Sequence, residues 1–273
     1  MFQRHMPVTM AGRAFSILQL IFHATVRHIR KSDRSPIIGL LMSITQAVMM
    51  VAIFYLMFDI LGMRGAAIRG DFILYIMSGV FLFMTHNKAL GAVLSAEGPT
   101  SAMMLHAPMN TVVAITGAAL ASLYQQLLAF GVILFATHTM IRPIVIDDPV
   151  GMMRFFFLAW FCGAAIGTVL LALKPWLPRF VAIVSQLYRR ANMIFSGKMF
   201  VANTLPGYML PMFAWNPLFH TIDQARGAIF INYLPRTTNP DYALWFALVF
   251  IMLGLMGEFF TRRHASASWE AGR

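Results

Sequence analysis

Residues 37–58 contain no charged side chain, and a stretch of that length and character constrains a chain more than any motif does. A bilayer core of about 30 Å is crossed by about 20 apolar residues in an α-helix, which satisfies its own backbone groups. Similar runs follow at 72–96, 111–140, 150–173 and 242–260, and a weaker one at 179–200 carries Arg189 and Arg190 near its middle. Hydrophobic residues make up 59% of the chain and charged residues 11%. Ordinary globular chains hold about 45–50% and about 25%. The expected fold class is an all-α integral membrane protein. Its membrane domain is residues 37–260, with six transmembrane helices, between cytoplasmic tails at 1–36 and 261–273.

An even number of spans puts both termini on one side. Arg4, Arg13, Arg27, Arg30, Lys31 and Arg34 precede the first span, Lys174 and Arg179 follow the fourth, and Arg262, Arg263 and Arg273 follow the last. The opposite side holds Arg64, Arg69, Arg142, Arg226 and Arg236, together with the acidic pair Asp147 and Asp148. Lys and Arg collect on cytoplasmic loops, so cytoplasmic termini are expected. The formal net charge of +11 then points to anionic lipid rather than to nucleic acid.

Three segments outside the spans stand out. In residues 10–31, Phe15, Leu18, Phe22, Val26 and Ile29 recur at helical spacing, with Ser16, His23, Arg27 and Arg30 opposite, which predicts a basic amphipathic helix in the cytoplasmic interface. Residues 97–110 are bounded by the helix breakers Gly98-Pro99 and Pro108, leaving room for one or two helical turns or a plain connecting loop. Residues 201–241 are too apolar for a free loop, and Pro206, Gly207, Pro211 and Pro217 forbid one long helix. A broken, re-entrant hairpin fits, with its irregular backbone buried in protein. Tyr208, Trp215, Phe219 and Tyr233 suit the interfacial belt.

Polar residues inside the spans are few, and such residues face a cavity or a partner. Ser185, Arg189, Asn192 and Ser196 form one stripe on a helix, fit either to line a hydrophilic pathway or to seal a helix–helix interface. Thr85, His86, Asn87 and Lys88 cluster in the second span, and Ser122, Gln125 and Gln126 in the third, as expected of interhelical hydrogen bonding. Catalytic signatures are missing. Gly197-Lys198 lacks the rest of a phosphate-binding loop, and neither a G-x-S-x-G elbow nor an H-E-x-x-H zinc motif occurs. The histidines are scattered, and the lone Cys162 sits in an apolar run, as a small buried residue does. His220 and Asp223 are spaced to pair, which helix orientation explains as well as chemistry.

The order of these segments resembles the permease subunit of type-2 ABC exporters, and within it the group exporting capsular polysaccharide and O-antigen. The resemblance is carried by Phe195-Ser196-Gly197-Lys198-Met199-Phe200, Leu205-Pro206, and Trp215-Asn216-Pro217-Leu218-Phe219-His220 followed by Ile222-Asp223 and Arg226. The family shows a Ser-Gly-x-x-Phe element, a Leu-Pro, and an Asn-Pro-Leu-x-His followed by an acidic residue and Arg. The family's Arg-Tyr before the first span appears here only as the basic run Arg30-Lys31-Ser32-Asp33-Arg34.

The resemblance implies a homodimer moving a lipid-linked or growing glycan across a bacterial inner membrane. Two copies of a separate ATPase subunit would bind the ATP, so this chain would carry no cofactor, metal or catalytic residue of its own. Membrane lipid and downstream envelope export proteins are the further partners it implies. The segment 97–110, with Glu97, Thr100, Met104 and His106, would couple to the ATPase. Arg189, Asn192 and Ser196 would lie on the translocation pathway. Trp215, Asn216, Pro217, His220, Asp223 and Arg226 would shape the outer gate, in a structural role. A lipid or drug exporter of the same fold is the alternative, ahead of a membrane-embedded glycan-modifying enzyme.

Overall fold

The computed structural model describes residues 10–32, 36–62, 68, 70–98 and 110–264. Its helices are α1 (Met10–Ser32), α2 (Pro36–Ile60), α3 (Phe72–Leu94), α4 (Thr111–Met140), α5 (Pro149–Leu173), α6 (Pro178–Phe195), α7 (Leu210–Ala214), α8 (Pro217–Ile229) and α9 (Pro240–His264). A single 3₁₀ turn, Ala202–Thr204, lies between α6 and α7, and no strand occurs among the described residues. Helices α2, α3, α4, α5 and α9 are each long and apolar enough to cross a membrane. The protein is therefore an all-α, multi-pass membrane protein.

Helix ends follow local chemistry. Asp71 caps α3, its Oδ1 accepting from the Ile73 N–H at 2.8 Å, and its Oδ2 pairs with Arg142 Nε at 2.9 Å beyond the end of α4. Asp148 caps α5 through the Gly151 N–H at 2.9 Å, with Pro149 in the first turn. Helix α6 behaves differently from the expected span at 179–200. It is strongly amphipathic, falls outside the apolar set, and stops at Phe195 because Gly197 turns the chain with φ 72°.

Small residues let the central helices approach closely. A Cβ on Gly163 would stand 2.2 Å from the His86 carbonyl oxygen, and one on Gly167 would stand 2.9 Å from Val93 Cβ. This Gly-x-x-x-Gly pair brings α5 onto α3. On its other side α5 meets α9, where Ala243 and Ala247 pack with Cys162 and Ala165, and Gly254 abuts Thr168. The largest apolar cluster joins α2, α3, α4, α5 and α8 around Phe81, Phe130 and Phe156.

Contacts along these helices give their directions. His86 lies beside Ala159, and Lys174 Nζ donates to the Leu94 carbonyl at 3.4 Å, so α3 and α5 run parallel. Cys162 Sγ contacts the Ala243 carbonyl and Thr261 Oγ1 donates to the Ala172 carbonyl, so α5 and α9 also run parallel. The chain between α5 and α9 must therefore return to the end where α5 began. Helix α6 starts that return antiparallel to α3, with Tyr188 beside His86 and Lys198 beyond it against Gly79. Helix α8 completes it, its Ala228 and Ile229 carbonyls accepting from the Asp148 and Asp147 N–H groups at 2.8 and 3.2 Å.

Helix α1 lies along α4, where Ala24 is buried and a Cβ on Gly117 would stand 2.7 Å from Ala24 Cβ. Its Phe15, Leu18 and Phe22 remain exposed.

Candidate functional site

A cleft of about 930 Å³ opens among α1, α2, α3, α4 and α6. It runs from His28 and Gly39, near the α1 end of the bundle, to Met50 and Phe83, and Phe83 is at the middle of α3. Polar groups line it from every wall: Ser43, Thr45 and Gln46 of α2, Asn87, Lys88 and Ser95 of α3, Ser122 and Gln125 of α4, and Arg189 and Arg190 of α6.

The electrostatics of the cleft are one-sided. Lys88, Arg189, Arg190 and His28 line it, and none of the described residues lining it is Asp or Glu. Cations gathered in a low-dielectric cleft focus their field and raise the local concentration of anions. Arg189 packs against Gly91 of α3, where a Cβ would stand in ordinary contact at 3.5 Å from its Nη2. Asn87 donates to the Phe83 carbonyl at 2.9 Å, which leaves its buried Oδ1 without a hydrogen-bond partner among the described residues.

The polar clusters of three sequence segments thus converge in one place. Asn87 and Lys88, Ser122 and Gln125, and Arg189 with Arg190 share the cleft. The stripe on α6 divides, however. Asn192 and Ser196 are fully buried and do not line the cleft, and Asn192 Oδ1 accepts from Asn216 Nδ2 at 2.8 Å. Arg189 is exposed in the cleft, while Ser185, Asn192 and Ser196 of the same stripe are buried.

The two motif segments form one hydrogen-bonded unit. Arg226 is fully buried and donates to the carbonyls of Gly197, Phe200 and Lys198 at 2.9, 2.6 and 2.7 Å, with its guanidinium carbon 4.3 Å from the Tyr75 ring centroid. Asn216 caps α8 through the Leu218 N–H at 3.0 Å and donates to the Phe195 carbonyl at 3.1 Å, with Pro217 in the first turn. Asp223 accepts from the Tyr233 hydroxyl, the Thr238 hydroxyl and the Ala202 N–H. His220 Nε2 donates to the Ala214 carbonyl at 2.8 Å and its Nδ1 accepts from the Asn239 N–H at 2.9 Å, which fixes the tautomer. Trp215 stays half-exposed and its carbonyl accepts from the Tyr242 hydroxyl at 2.7 Å. These side chains hold the chain between α6 and α9 to the ends of α3 and α5.

Glu97 lies in a small crevice with Arg27 and His28 beneath the cleft. Thr100, Met104 and His106, and the short helix expected within 100–107, lie outside the described residues. Sequence reasoning passed over His28, Ser43 and Gln46 as cleft residues, and the Gly163–Gly167 spacing. Ser43 and Gln46 were detectable as an i, i+3 polar pair in an otherwise apolar span. Among the described residues, no group of three His, Cys, Asp or Glu side chains is placed to share a metal ion. A comparison with protein-family models finds no match, and a comparison with curated proteins finds none either.

Proposed function

We propose that the chain is the permease subunit of an ATP-driven ABC exporter that moves a glycan across the inner membrane. The observation that carries this reading is the cationic cleft without carboxylates, set among helices that are apolar elsewhere. Hydroxyl, amide and guanidinium groups on opposing walls suit a polar, acidic or phosphate-bearing saccharide. A purely lipophilic cargo has no use for Lys88, Arg189 and Arg190.

Helix α6 is the sixth crossing in this reading. The parallel packing of α5 and α9 supports it, because only a return across the bundle joins them. Polarity on α6 is tolerated where it faces the cleft and α8 rather than lipid. The short, Pro-containing α7, with Phe213 buried, and the largely buried α8 then form a re-entrant gate toward the outside, with cytoplasmic termini. Exposed apolar residues of α2 and α6, such as Ile53, Leu56, Ile183 and Leu187, flank the cleft and would be covered in a homodimer. Helix α1, with Phe15, Leu18 and Phe22 exposed, lies in the cytoplasmic interface and passes ATPase movement to α4. The segment 97–110 docks the separate ATPase.

A second reading, export of a lipid or another amphiphile, is favoured by one observation. An apolar groove of about 620 Å³ between α1 and α4, lined by Phe22, Val26, Ile29, Leu120, Leu123 and Leu127, has Arg30 in its wall.

Purification of the tagged protein in mild detergent tests the class. A permease dimer with a stoichiometric soluble ATPase is expected. Protein that remains free of any ATPase, reproduced in lipid nanodiscs, would overturn the exporter reading.

A further inference from the structure

Lys198 is a buried cation that the cleft does not account for. It is 4% exposed, and its Nζ has no hydrogen-bond partner among the described residues. Its surroundings are aromatic: Nζ lies 3.5 Å from the Phe83 ring centroid and 5.1 Å from that of Phe54. Phe83 is also where the cleft ends, so one ring is shared between the cleft and the ammonium.

The backbone holds Lys198 there firmly. Gly197 at φ 72° turns the chain, Gly79 admits the Lys198 backbone against α3, and Arg226 binds the Lys198 carbonyl at 2.7 Å. Ring faces compensate a desolvated ammonium only in part, and its three donors stay unused. An anion would satisfy this desolvated ammonium, and none of the described side chains supplies one.

We infer that Lys198 is an inner station for an anionic group of the transported substrate, a carboxylate or phosphate that passes from Lys88, Arg189 and Arg190 past Phe83 to the Lys198 ammonium. The inference rests on the exporter reading and makes its substrate acidic. The anion is borne either by the sugars themselves or by a lipid diphosphate carrier. Lys198 is then a residue that selects a substrate bearing an anionic group over one that bears none.

Titration calorimetry of the full chain in nanodiscs tests it with three probes: an oligogalacturonate, a malto-oligosaccharide of equal length, and farnesyl diphosphate. Wild type is expected to bind an anionic probe and to prefer it over the neutral chain. Lys198→Met should weaken that probe by about tenfold or more, and Lys198→Arg should retain most of the affinity. The probe that responds identifies the source of the anion. Lys198→Met should also melt no lower than wild type, since the ring contacts return less than the burial of an ammonium with no hydrogen bond costs. Anionic probes bound equally by wild type and Lys198→Met would overturn the station and leave the exporter reading standing. A lowered melting temperature with unchanged affinity would do the same, marking the lysine as structural. Failure of folded wild type to bind any of the three probes would count against both.

Discussion

His86 and Tyr188 are joined by a hydrogen bond of 2.9 Å that ties the buried face of α6 to α3 beside the cleft. His86 Nδ1 donates to the Ala159 carbonyl at 3.1 Å, so its Nε2 is an acceptor and the Tyr188 hydroxyl donates. Tyr188→Phe leaves that buried nitrogen unsatisfied, at a cost of about 1–3 kcal/mol. A lower melting temperature is expected, together with faster proteolysis within α6. Unchanged melting would show that α6 is held by other contacts.

The closest helix approach in the bundle supplies a paired test. Gly163→Ala forces a methyl within 2.2 Å of the His86 carbonyl oxygen, which backbone must yield to, so a loss of about 1–3 kcal/mol is expected. A Cβ at Gly131 meets nothing within 4 Å, and Gly131→Ala should instead stabilise by about 0.5–1 kcal/mol through helix propensity. Opposite shifts in thermal melting would verify that α3 and α5 touch at Gly163.

Arg226 gathers three carbonyls that receive no other side-chain donor among the described residues. Arg226→Met leaves them buried without a donor, at an expected cost above about 3 kcal/mol. Arg226→Lys recovers part, because a single ammonium cannot reproduce the planar fork. Membrane accumulation and gel-filtration profile should fall in the order wild type, Lys, Met. Normal accumulation of the Met variant would refute this role.

Arg189 and Arg190 are exposed in the cleft, so their replacement leaves folding alone. Arg189→Glu places like charge against an anionic substrate and should lower export about tenfold or more with unchanged membrane levels. Ser185→Ala, on the buried side of α6, serves as the control. Export at the wild-type rate in Arg189→Glu would remove the cleft from the pathway.

On the exporter reading, coupling passes through α1, which a targeted change tests. Gly117→Leu drives side-chain atoms into Ala24 and lifts α1 from α4, where deletion of residues 10–31 would remove the helix altogether. ATP hydrolysis by the assembled complex should continue while transport per ATP falls severalfold. Intact coupling in both variants would mean that α1 does not transmit the movement.

Much of the fold was legible before the structure. Apolar runs, prolines and glycines act locally, so the positions of α1 to α5 and α9 follow from the residues within each. The break at Asn216-Pro217 was equally visible, because proline imposes it within one turn. Helix α6 was harder: Arg189 and Arg190 weaken its apolar signal, and its ending depends on Gly197 docking against Phe219. Asn192 was assigned to a pathway, yet its amide partner, Asn216, lies 24 residues away in the chain. Lys198 carried no local sign of its state, since Phe54 and Phe83 come from two other helices.

By itself, the sequence determined that this protein is helical, membrane-embedded, net basic, and broken before its last long helix. Each of those properties depends on hydrophobicity and backbone preference within a short window. Tertiary structure decided which polar residues meet: Lys88, Ser122 and Arg189 around one cleft, and Arg226 with the carbonyls after α6. A helix face is set by spacing along one segment, but what it faces is set by close packing of small residues such as Gly163 and Gly167 against a distant helix.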